Sequence, residues 1–175
     1  MIVQLIRSRP VPLSAQLGKA WARTYSSTAP KRAKNRIYNS IRHENELEDL
    51  LLLSASSRIP LITLWSASWC SSCQAVKPLI KGLIEQGVGE EQGSVSFAEV
   101  EMDSPTLGVL PMRYMISSMP TLLSFDRQEA QVETKLTRVE DMKNRQFLIE
   151  WIEREAKRHG QGGGGGGGLF GLFGR

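Results

Sequence analysis

Acidic residues are missing from the first quarter of this chain, cysteine is nearly missing from all of it, and no apolar run is long. No Asp or Glu precedes Glu44, whereas residues 1–43 carry nine Lys and Arg. The other 13 of the 22 basic groups share residues 44–175 with all 18 acidic ones. The body of the chain is therefore mildly acidic despite a formal charge of +4, which argues against nucleic-acid binding, where basic groups must line the folded face. Short apolar runs such as Leu50 to Leu53 fall far below the roughly 18 to 20 residues that span a bilayer. Two cysteines in 175 residues exclude the disulfide framework of a small secreted domain. With His43 and His159 as the only histidines, no metal or iron–sulfur centre is expected, because too few ligands can converge. No cofactor is expected either.

What the chain does hold is a pair. Trp69-Cys70-Ser71-Ser72-Cys73 places both cysteines three positions apart. A bridge between them closes too small a loop to restrain the unfolded chain, so its value is chemical rather than structural. The motif lies between an apolar run, Pro60 to Trp65, and a helix-like pattern that opens at Cys70.

The arm before it is rich in Arg and Ser and free of acid. Drawn as a helix, Leu13, Leu17, Ala20 and Trp21 share one side, with Gln16, Lys19 and Arg23 turned away. This is the composition of a mitochondrial transit peptide, which a potential negative inside the matrix would draw inward. Arg23-Thr24-Tyr25 before Ser26-Ser27 matches a matrix-processing pattern and predicts a mature chain starting near Ser26. The alternative is a basic arm that binds RNA or acidic lipid. Arg outnumbering Lys up to Arg23 favours the transit peptide.

Periodicity predicts a short strand around Ile37 to Ile41, then a helix from Glu44 to Leu53 with acids crowding its positive N-terminal end. Arg58 to Trp65 suits a strand buried on both faces. From Cys70 a long helix carries the stripe Val76, Leu79, Ile80, Leu83 and Ile84, is kinked by Pro78, and ends at Gly87 and Gly89. A strand over Ser94 to Met102 follows, and then a short helix limited by Pro105 and Pro111. Thr121 to Phe125 and Val132 to Thr137 read as a hairpin turning around Arg127 and Gln128. A last helix is predicted over Asp141 to His159, followed by the seven glycines Gly162 to Gly168 and an apolar tip, Leu169-Phe170-Gly171-Leu172-Phe173, read as a disordered tail. The organisation is an arm at 1–35, one domain at 36–159 and a tail at 160–175. Beginning βαβ and ending in an antiparallel hairpin and helix, the order implies an α/β domain, a central mixed sheet with helices on both faces.

That order, the WCxxC at the end of the second strand, Pro78 at the family's helix-kink position, and Tyr114-Met115-Ile116 leading to Met119-Pro120-Thr121 together resemble the thioredoxin family over residues 36–159. The resemblance implies the thioredoxin fold and a thiol-disulfide oxidoreductase that reduces protein disulfides. It also implies disulfide-containing proteins as substrates, a thioredoxin reductase as electron donor, and a monomer. Cys70, at a helix N-terminus whose free N–H groups favour a thiolate, is then the exposed nucleophile. Cys73 resolves the mixed disulfide. In the family the proline before the fourth strand is cis and faces the dithiol. If Pro120 matches it, the Met119 backbone is held open for a peptide, with Trp69 beside it.

Five positions depart from the family's pattern. Ser71-Ser72 replace Gly-Pro between the cysteines, which predicts a less reducing pair than the roughly −270 mV of thioredoxin. Leu64 stands where a buried Asp lies beneath the dithiol, and Glu99, on the next strand, stands where a lysine faces that Asp. Glu99 is accordingly a candidate general base reaching the same cavity from the other side, its alternative being a carboxylate at a solvated rim. Thr137 takes the place of a glycine on the partner-binding surface. Leu64 and Thr137 support a second reading, a protein-binding or assembly module with weak or vestigial redox activity.

Overall fold

The computed structural model describes residues 33–158. The predicted arm, apart from residues 33–35, and the whole predicted tail lie outside them, as does His159. Within them runs a five-stranded sheet of order β1-β3-β2-β4-β5, formed by β1 (Arg36–Ile37), β2 (Leu61–Ser66), β3 (Ser96–Glu101), β4 (Thr121–Asp126) and β5 (Glu129–Ala130). β1, β3 and β2 are parallel, and β4 and β5 are antiparallel to their neighbours. The mixed sheet is as the element order implies, because only βαβ crossovers can join the first three strands.

Alternation along the central strands sends side chains to two separate cores. Ile62, Leu64 and Phe97 pack on one face with Val76, Ile80, Leu83 and Ile84 of α2 (Ser71–Glu85) and Leu148, Trp151 and Ile152 of the C-terminal helix. Leu61, Trp65, Ala98, Val100, Leu123 and Phe125 pack on the other, under Leu47 and Leu51 of α1 (Glu44–Ser57) and Leu110 of α3 (Leu110–Arg113). Tyr114 fills the second core, 5.9 Å from Trp65 and 5.0 Å from Phe125 between ring centres. Burying each such large side chain contributes about 1.5 to 3 kcal/mol.

Several element boundaries differ from the sequence reading. α1 extends to Ser57, and Arg58 caps it in the left-handed region, φ 56°, so β2 starts at Leu61 rather than Arg58. α2, as expected, continues through Pro78 as one helix. The hairpin does turn at Arg127 and Gln128, both with positive φ, but its second arm is only Glu129–Ala130. A two-residue turn of this hand usually calls for glycine or asparagine, so its tightness was hidden. Val132–Thr134 is a 3₁₀ turn instead of strand. Trp151 Nε1 donates to the Thr134 carbonyl at 2.8 Å, and Arg158 donates to Thr134 Oγ1 and Gln131 Oε1. The chain rejoins the sheet at Leu136, which exchanges two backbone hydrogen bonds with Leu122. The expected final helix is two: α4 (Val139–Lys143) and α5 (Arg145–Ala156). Asn144 separates them by accepting the Phe147 N–H at 3.1 Å, a cap that starts a new helix.

Candidate active site

The site forms where β2 ends and α2 begins. Cys70 is the N-cap of α2 rather than its first residue, with extended backbone (φ −82°, ψ 103°), and its sulfur accepts the Cys73 N–H at 3.2 Å. Cys70 and Cys73 are joined as a disulfide, their Cα atoms 5.2 Å apart. Both lie in a small apolar cluster with Ala67, Met102 and Met119. The expectation of an openly exposed Cys70 needs correcting. It is buried, 7% exposed against 1% for Cys73, so Cys70 is only slightly the more accessible residue. Trp69, beside it, is 72% exposed.

Facing the disulfide is the turn that enters β4. The Met119–Pro120 peptide bond is cis, Pro120 is buried, and the Met119 side chain packs on the cysteines. Among the described residues, neither the N–H nor the C=O of Met119 forms a backbone hydrogen bond. An extended peptide could pair there by strand addition.

Two polar groups shape the loop itself, one of them, Asp103, absent from the sequence reading. Asp103, just past β3, accepts both the N–H (3.0 Å) and the hydroxyl (2.5 Å) of Ser68. Those donors hold the Asp103 carboxyl below the usual carboxylate range and tie the WCSSC loop to the adjacent strand end. Ser72 Oγ lies 3.4 Å from Cys70 Sγ.

Beneath the loop lies a second layer. Leu64 is fully buried and pairs in register with Glu99. Glu99 is 8% exposed, not a carboxylate at a solvated rim. It accepts the Ser66 hydroxyl at 2.5 Å and the Ser40 hydroxyl at 3.3 Å, and its Oε2 lies 2.5 Å from Lys77 Nζ. Ser66 directly precedes Ala67 of the sulfur cluster, and Lys77 sits one turn beyond Cys73 on the same face of α2. A cleft of about 200 Å³ lined by Ser40, Lys77, Lys81 and Glu99 opens this layer to solvent. Lys77 was legible in principle from its spacing to Cys73. Ser66 and Asp103 carry no local signal, since their partners come from other strands. Thr137 is exposed. Among the described residues no cluster of His, Cys, Asp and Glu is suited to a metal ion, and no helix is long and apolar enough to cross a membrane.

Comparison with known proteins agrees with this geometry. The Thioredoxin family model matches residues 42–154. The chain is 32% identical over 123 residues to a protein named "Probable thioredoxin-2" of Caenorhabditis elegans, covering 65% of this chain and 80% of that one. It is 28% identical over 99 residues to a thioredoxin of Rickettsia conorii, covering 56% and 83%. The solved structure of Fasciola hepatica thioredoxin superposes with a TM-score of 0.53 at 21% identity, over 69% of this chain and 98% of that one, a likeness of fold. With a family match over most of its length, this fold, and a Cys70–Cys73 pair at the helix start, the chain belongs to the thioredoxin family and is a thiol-disulfide oxidoreductase.

Proposed function

We propose that the protein reduces disulfide bonds of other proteins in the mitochondrial matrix, as a monomer recharged by a thioredoxin reductase. The observation that carries this reading is the cysteine pair at the start of α2 facing the unpaired Met119 backbone, so that a nucleophile and a peptide-docking edge share one surface. In the reduced protein the Cys70 thiolate attacks one sulfur of the target disulfide, forming a mixed disulfide and releasing the first target thiolate. Cys73 then gives up its proton and attacks Cys70. The Cys70–Cys73 disulfide forms and the second target thiol leaves. Two electrons from the reductase reset the pair.

Glu99 is the proton acceptor for Cys73 in this scheme. Its carboxylate is buried, bracketed by Ser66 and Lys77 next to the sulfur cluster, and reaches solvent through the cleft beside Ser40. The role that Leu64 cannot fill passes to the neighbouring strand.

Reduction of insulin with NADPH and a thioredoxin reductase tests the reading. Turnover that disappears in Cys70→Ser supports it, whereas no turnover leaves the protein-binding module, which the apolar Leu64 and exposed Thr137 favour. The matrix address rests on the acid-free, Arg-rich arm. Import into isolated mitochondria should yield a processed chain starting near Ser26, and an unprocessed chain left outside would refute it.

A further inference from the structure

The loop that carries the docking edge leaves α3 through a turn that its residue type disfavours. The Met115 N–H donates to the Met112 carbonyl at 3.2 Å and the Ile116 N–H to the Pro111 carbonyl at 2.8 Å, while Met115 holds φ at 51°. That pattern closes a helix with one left-handed residue, normally glycine or asparagine, because a larger side chain crowds the backbone there. A methionine persists in it only where the surroundings hold it. The Met115 side chain is exposed and supplies no such hold. Its carbonyl does, since Lys135 Nζ donates to Met115 O at 2.9 Å from 20 residues along the chain. Lys135 is itself well anchored: Leu136 exchanges two backbone hydrogen bonds with Leu122, and Trp151 donates to the Thr134 carbonyl. Beyond Ile116, which packs into the second core, the backbone is open. Ser117, Ser118 and Met119 form no backbone–backbone hydrogen bond among the described residues, and both serines are exposed. The Thr121 hydroxyl, donating to the Ser118 carbonyl at 2.8 Å, fastens the far end.

We propose that Lys135 is a positioning residue for the substrate: by holding Met115 in the left-handed region it sets the direction in which residues 117–119 leave α3, and so presents their backbone groups to an extended peptide carrying the target disulfide. The inference rests on the proposed docking of a peptide at Met119 and lengthens that edge to Ser117. Strand addition needs N–H and C=O groups aligned with the incoming chain. An edge that loses its direction therefore loses peptides, whereas a small disulfide without a backbone reacts as before. Lys135 acts on the loop and not on the sulfurs, which separates its effect from any change in thiol chemistry.

Single-turnover rates of the reduced full chain with two kinds of disulfide provide the test. One is a disulfide-bridged peptide, and the other is dithiobis(nitrobenzoate), an aromatic disulfide with no peptide backbone. Lys135→Ala should slow the peptide reaction about three- to tenfold and leave the aromatic disulfide within about twofold of the parent. Lys135→Arg, which keeps a cationic donor, should restore the peptide rate. In a Met115→Gly chain the left-handed turn needs no support, so adding Lys135→Ala there should cost less than about twofold. An unchanged peptide rate in Lys135→Ala, an equal fall with both disulfides, or the same loss in the Met115→Gly background would each overturn the assignment. A peptide N-methylated on both sides of its cysteine separates Lys135 from the docking edge itself. If N-methylation slows the parent while Lys135→Ala does not, the edge stands and Lys135 has no part in it. If N-methylation leaves the parent rate unchanged, the edge falls and the assignment falls with it.

Discussion

The two layers of the site are built by different means. The upper layer, Trp69 to Cys73 with Met119 and Pro120, consists of short contiguous segments whose contacts around the sulfurs are apolar or local: sulfur on methionine, an N–H one turn away, a serine two residues on. The lower layer joins β2, β3, α2 and the segment after β1 through one carboxylate, with Ser66, Ser40 and Lys77 all converging on Glu99. In the upper layer a polar group is near solvent and can be changed at small cost. In the lower one each partner compensates one carboxylate largely withdrawn from water, so removing a partner leaves part of that desolvation cost unmet. Chemistry at the dithiol can therefore vary at Ser71 and Ser72 while the support beneath tolerates little.

Substitutions can break that contrast or sharpen it. Cys70→Ser should have the largest effect, lowering disulfide reduction below about one hundredth of the parent rate with the fold intact by circular dichroism. Leu64→Asp would place a second carboxylate in register with Glu99 and should cost about 3 to 5 kcal/mol of stability in urea unfolding. Ser71→Asp in the exposed upper layer should stay within about 0.5 kcal/mol of the parent. Equal losses for the two would erase the distinction between the layers. Glu99→Gln keeps a hydrogen-bonding group opposite Ser66 but removes the proton acceptor. It should slow release of the mixed disulfide about ten- to a hundredfold and flatten its pH dependence, and rates matching the parent at every pH would remove Glu99 from the mechanism.

The smallest effect concerns Asp103, the upper layer's own anchor. Its carboxyl is held below the ordinary range by the Ser68 donors, so its contribution to stability is present above the usual Asp value, about 3.9, and fades as pH falls through the lower folded value. Parent and Asp103→Asn should accordingly differ slightly in stability at pH 6 and converge towards pH 2. A gap that stays constant over that range would show that the Ser68 contact depends on shape and not on charge.

The same division explains how far the sequence could be read. The cysteine pair, the tryptophan before it and Met119-Pro120 are contiguous, so their spacing announced the upper layer and the family. The α2 stripe and the apolar β2 run likewise placed the helix and strand that meet there. Glu99 was found only through its departure from the family's pattern, and its burial and partners were not legible, because Ser66 and Ser40 lie 33 and 59 residues away. Turn chemistry hid the rest. Arg127 and Gln128 adopt positive φ without glycine, which concealed how tight the β4–β5 turn is though not its place, and Asn144 inside a periodic apolar pattern concealed the break between α4 and α5. In both cases the backbone adopts a state that the residue types there do not announce.

Covalent trapping tests the central claim most directly, because it looks for the bond on which disulfide exchange depends. A Cys73→Ser chain, unable to resolve the intermediate, should form a dithiothreitol-sensitive adduct with oxidised insulin through Cys70, identified by mass spectrometry of the linked peptides. No adduct, or an equal yield from Cys70→Ser, would contradict the account.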